Sequence, residues 1–121
     1  MAEALVLNAG KCVYVDYVPS SDVAAGDVVV ENERVMVAQR PISADRLGAM
    51  AIEGLMDFPK DTGSSSAIDD GKKVYWDENN EVANETSSGN LYLGLSVYAP
   101  SRGGDDDEFV RVMKRENPAL P

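Results

Sequence analysis

The stretch Ala49-Met50-Ala51-Ile52-Glu53-Gly54-Leu55-Met56-Asp57-Phe58 decides how the chain is read. Met50, Ile52, Met56 and Phe58 all sit at even positions, whereas Glu53 and Asp57 sit at odd ones. That is the two-residue period of a strand and not the 3.6-residue period of a helix. The spacing predicts one long strand with its apolar residues on one face. Gly54, in the middle, predicts a bulge or the close approach of another backbone.

The neighbouring segments read the same way. Lys11 to Tyr17 alternates, with Val13, Val15 and Tyr17 on one side, and stops at Pro19. Val28-Val29-Val30 and Val35-Met36-Val37-Ala38 are β-branched runs around the polar group Glu31 to Arg34, which predicts a hairpin. Val74-Tyr75-Trp76 and Glu81-Val82-Ala83 flank Asp77-Glu78-Asn79-Asn80, predicting a second. Leu91 to Ala99 predicts a strand with Leu91, Leu93, Leu95 and Val97 on one face, and Phe109 to Met113 a last one. Glycine turns precede two strands in similar form, at Ala25-Gly26-Asp27 and Asp70-Gly71-Lys72. This is either one unit used twice or ordinary turn chemistry. No segment offers three turns of amphipathic helix. Ser43 to Leu47 and the region of Leu5 hold a single turn at best. At 121 residues the chain is one all-β domain, a small barrel or sandwich. The expected division is an N-terminal arm over 1–10, a β domain over 11–113 and a C-terminal tail over 114–121.

Composition excludes several functions. Acidic residues number 21 against 11 basic ones, a formal charge of −10, spread over both halves of the chain. Such a field repels phosphate backbones and anionic head groups, so no nucleic acid and no membrane is expected as partner. No apolar run approaches the roughly 20 residues that span a bilayer. The start lacks the basic and apolar regions of a signal peptide, so synthesis and assembly inside a cell, in the cytoplasm and without export, are expected. There is no histidine, which removes Ser-His and Cys-His nucleophile devices. The one cysteine, Cys12, lies among Val13, Tyr14 and Val15 and reads as a structural thiol. Gly71-Lys72-Lys73 lacks the upstream glycine of a phosphate-binding loop. Asp105-Asp106-Asp107-Glu108 lacks the alternate-ligand spacing of a calcium loop and reads as a solvated acidic turn. No enzyme activity, cofactor or metal is therefore expected.

Tyr75 and Trp76 are strand neighbours, so one faces inward and the other outward. An outward ring is a good anchor for a partner protein. The alternative is that the larger ring fills the core while the other decorates the sheet.

Several of these blocks together resemble a family of small phage proteins. They are Asp22 to Val30, Val37-Ala38, Leu47 to Gly54, Asp57-Phe58-Pro59-Lys60 and Gly71 to Asp77, with weaker continuation through Gly89 to Val97 and Val110 to Val112. The family, once known only as a domain of unknown function, is that of phage capsid cement or head decoration proteins. Some members are labelled as recombinases, but this chain lacks the phosphate-binding loop such an ATPase needs. The departures are the acidic insertion Gly103 to Glu108 and the tail Glu116 to Pro121. The resemblance implies a β-clip or β-tulip fold and a homotrimer at local threefold axes. It further implies binding to the major capsid protein on the outer surface of the virion. The expected contact residues are Ala2, Glu3, Ala4, Leu5 and Val6 at one end, Pro118, Ala119, Leu120 and Pro121 at the other, and Tyr75 and Trp76 on the sheet. The competing reading is a small β-barrel accessory module that holds a ligand or carbohydrate through exposed aromatics.

Overall fold

The computed structural model describes residues 4–7 and 12–116. Among them are nine strands and no helix: β1 Leu5–Val6, β2 Val13–Tyr17, β3 Val28–Glu31, β4 Arg34–Ala38, β5 Gly48–Pro59, β6 Lys73–Asp77, β7 Val82–Asn84, β8 Leu91–Ser96 and β9 Phe109–Lys114. They form one antiparallel sheet, curled into a half-barrel, in the order β3-β4-β5-β9-β8-β6-β7. The region of Leu5 is strand and not a helical turn.

β5 organises the sheet because it pairs with two strands on each edge. One edge takes β2 at Gly48 to Glu53 and then β1 at Met56 and Asp57. The other takes β4 at Met50 and Ala51 and then β9 from Gly54 to Pro59. A parallel bridge between Lys60 and Ala83 brings β7 back towards the end of β5.

The long strand does not keep one apolar face. Val13 pairs with Glu53 while Tyr14 pairs with Ala51, so Ile52 is an extra residue on β5. Gly54 follows at φ 141, and a Cβ there would lie 2.5 Å from the Cys12 Sγ. The expected bulge and close approach are both present. One inserted residue exchanges the faces of a strand. Met50 and Ile52 therefore pack in a smaller cluster with Met36, Ala38, Val23 and Ile42, while Met56 and Phe58 enter the main core.

β8 repeats the device. Tyr75 pairs with Tyr92 and Val74 with Gly94, leaving Leu93 as the extra residue. Gly94 sits at φ 150, where a Cβ would lie 2.0 Å from the Met113 carbonyl oxygen. Leu93 is fully buried, but Leu95, expected on the same face, is 44% exposed.

Lys114 lies opposite both glycines, Gly54 on β5 and Gly94 on β8. Its side chain is buried, and its Nζ donates to the Ile52 carbonyl at 2.9 Å. Burial of the ammonium lowers its pKa to about 8, against the opposing pull of Glu116 and Glu53.

Candidate functional site

The family-like block Asp57 to Lys60 builds a rigid end to the molecule. Asp57 faces away from Met56 and Phe58, yet it is buried because two arginines lie over it. Arg102 Nε donates to Asp57 Oδ2 at 2.9 Å, and Arg111 Nε donates to Oδ1 at 2.9 Å. Arg102 also covers the Phe109 ring at 5.6 Å. The bond to Asp57 raises the Arg111 pKa further.

Lys60 is buried at the next turn. Its Nζ donates to the carbonyls of Asp61 at 2.6 Å, Gly104 at 2.8 Å and Asp107 at 3.2 Å, and more weakly to Ser66 Oγ. Burial lowers its pKa, and the carboxylates of Asp107, Asp105, Asp61 and Asp106 oppose that. The acidic stretch is thus more than a solvated turn. Asp105 Oδ1 accepts from Ser66 N at 3.1 Å and Ala67 N at 2.9 Å, and Asp107 Oδ2 accepts from Gly104 N at 2.9 Å. One lysine and two aspartates tie the 61–67 and 103–108 loops into a single unit.

The aromatic neighbours separate as the strand period requires. Trp76 is 2% exposed and packs against Phe58 with ring centroids 5.8 Å apart. The larger ring fills the core, and this corrects its assignment as a surface anchor. Tyr75 is half-buried on the outer face, edge-on to Tyr92 at 5.8 Å.

Of the expected contact residues at the termini, Ala2, Glu3 and Pro118 to Pro121 lie outside the described residues. Ala4 is buried in the core and donates its N–H to the Gly26 carbonyl at 2.7 Å. Val6 is half-buried and Leu5 is 53% exposed. Residues 4–6 are therefore docked on the domain, Leu5 and Val6 on β5 and Ala4 on the turn at Gly26, and only Leu5 of the three offers substantial surface. At the other end, Lys114 closes β9, and Glu116 pairs with Arg34 at 2.7 Å.

Leu5 belongs to a larger surface that the sequence reading missed. It lies on the outer face, opposite Asp57. Along that face Leu55 pairs with Met113 and Met113 with Leu95, so an apolar stripe crosses β5, β9 and β8. Leu95 and Met113 are each 44% exposed. The missed signal was Gly94, which marks the bulge where the extra residue Leu93 turns Leu95 outward.

A separate open depression of about 550 Å³ is lined by Thr62, Ser64, Ser65, Asn84, Glu85 and Thr86, among others. No aromatic ring lines it; Trp76, whose ring is buried in the core, borders a different and smaller depression with Val28, Val30, Glu78 and Glu81. Among the described residues no group of three or more His, Cys, Asp or Glu is placed to hold a metal ion. None of the described residues forms a helix long and apolar enough to cross a membrane.

A family model described as phage cement protein matches residues 7–113. The chain belongs to the phage cement protein family. The match takes in β2 to β8 and all but the last residue of β9, and includes both loops tied by Lys60. No curated protein and no solved structure matches the chain. Membership makes this cement protein a structural component of the phage capsid, an all-β domain that acts on the shell.

Proposed function

We propose that this cement protein sits on the outer surface of the major capsid protein lattice, as a homotrimer at local threefold axes, and stabilises the head by bridging neighbouring subunits. The match over residues 7–113 carries the reading. It acts by binding alone: a bridging protein shares its binding energy over several modest contacts, each strengthened by the others. That role needs a stiff body, which the Lys60 and Asp57 clusters support, and contact residues at the surface, of which exposed Leu5 and half-buried Tyr75 are the described candidates. A charge of −10 suits an outer location, because such a surface does not adhere to released DNA.

The test is to add purified protein to expanded heads that lack it. Binding should saturate at a fixed stoichiometry, raise the temperature at which the heads release DNA, and give external density at threefold positions in cryo-electron microscopy. Heads that neither bind the protein nor gain thermal resistance would refute the proposal.

A further inference from the structure

Two apolar patches lie at opposite ends of β5 and differ in the charges around them. The first is the outer face, where Leu5, Leu95 and Met113 are exposed. Lys73 pairs with Leu95, and Arg111 lies two residues from Met113 on the same face. Arg102 reaches over it as well. The carboxylate there, Asp57, is buried beneath the two guanidiniums that hold it. This face is basic although the protein as a whole is strongly acidic.

The second patch lies just beyond the start of β5. The register Tyr17↔Gly48 places Val18 beside Leu47 as the ladder ends. Leu47 is 68% exposed and Val18 54% exposed, the first of them second only to Tyr98 among the large apolar residues described. Asp22 and Asp45 lie in the turn beside the pair and Asp16 pairs with Ala49, three carboxylates against two arginines, Arg46 and the exposed Arg40, which lines a hollow with Gly48 and Ala49. Asp22 is held in place by the Ala44 N–H at 2.9 Å, and the Asp45 N–H donates to the Pro19 carbonyl at 2.8 Å, so the acidic rim is built into the turn.

We infer that these patches are the two halves of one self-contact: the Val18–Leu47 end of one copy seats on the Leu95–Met113 face of the next. The inference deepens the self-association proposed above and rests on it. Apolar centres with charged rims are the usual anatomy of a protein interface. Here the rims are of opposite sign, acidic at the end and basic on the face. Copies carrying −10 each repel at long range, so association requires an orientation that brings a basic area to an acidic one. The pairing of end to face supplies that orientation. The patches are up to about 26 Å apart, since eight residues of extended chain at ~3.3 Å each separate Leu47 from Leu55. The contact therefore joins two different surfaces and is heterologous, and a heterologous contact closes into a ring when its rotation permits. Three copies related in this way would form the trimer without any two-fold contact.

The test uses Leu47→Glu and Met113→Glu, both at exposed sites, with Trp76 emission reporting that each variant is folded. Wild-type protein should show a concentration-dependent mass by sedimentation equilibrium, weakened by salt. Each variant alone should associate about 100-fold more weakly, because a carboxylate is forced into an apolar contact. Mixed together, the two should form a one-to-one complex, since L47E retains an intact face and M113E an intact end. A mixture no more associated than its components, variants of unchanged mass, or wild-type protein that stays single at millimolar concentration would each overturn the contact. The same wild-type protein applied to heads keeps the two readings apart: single copies that still bind and protect heads would sink this contact and leave the cement reading standing.

Discussion

Replacing Lys114 with methionine tests the energetics of the glycine-flanked junction directly. The side chain is buried between Gly54 and Gly94, and burial depresses its pKa from 10.5 to about 8. At 1.36 kcal/mol per pKa unit, charging it in the folded protein costs on the order of 3 kcal/mol relative to the unfolded chain. The sign follows from proton linkage. Between pH 8 and 10.5 the unfolded chain holds the proton and the folded one releases it, so stability rises with pH across that window and the cost is fully present below it. Lys60 is also depressed by burial and contributes in the same direction. Tyr14 is raised by burial, so it lowers stability once the pH exceeds 10. The wild-type protein should therefore gain on the order of 2–3 kcal/mol between pH 7 and 10. Lys114→Met keeps the volume and removes the charge, so it should abolish most of that rise and leave stability at pH 7 unchanged or up to about 2 kcal/mol higher. The Ile52 carbonyl loses its partner in the exchange, which offsets part of the gain. Urea unfolding followed by Trp76 emission, at half-unit steps from pH 7 to 10, reads both quantities. A K114M protein with the full wild-type pH slope, or one destabilised by more than about 2 kcal/mol at pH 7, would refute the reasoning.

Three other substitutions test neighbouring parts of the structure. Asp57→Asn leaves Arg102 and Arg111 without their buried anion. Both are about a quarter exposed and regain water, so a loss of about 2–3 kcal/mol is expected, read as a fall in urea midpoint. Gly94→Ala drives a Cβ into the Met113 carbonyl at a positive φ, and should cost about 2–4 kcal/mol with the earliest amide exchange in β8 and β9. Lys60→Met releases three carbonyls, so limited proteolysis should cut within 61–67 and 103–108 at least several-fold faster, with a global loss of about 1–2 kcal/mol. Unchanged cleavage would mean that the loops hold each other without the lysine.

The Asp57-Phe58-Pro59-Lys60 block carried much of the resemblance, and the structure gives each of its polar members a mechanical role. Asp57 anchors two arginines 45 and 54 residues away in sequence, and Lys60 gathers two loops that are distant in sequence. Sequence spacing marked these residues without indicating their partners, because the pairing depends on β9 lying beside β5. Buried Lys114 was equally hidden: nothing in Val112-Met113-Lys114 distinguishes a snorkelling lysine at a strand end from one sealed in the core. The exposed stripe was hidden for a related reason. Leu95 reads as core by alternation, and only the extra residue Leu93 turns it out.

Local chemistry by itself determined the strand content, the hairpins around Asn32 and Asp77, the inward–outward split of Trp76 and Tyr75, and the special place of Gly54. Each depends on the two-residue period or on turn geometry, which operate between near neighbours. The tertiary structure decided which apolar residues are core and which are surface, and which charges are buried. Those outcomes depend on bulges that exchange strand faces and on contacts between distant strands. A two-residue period cannot register one inserted residue until the partner strand is in place.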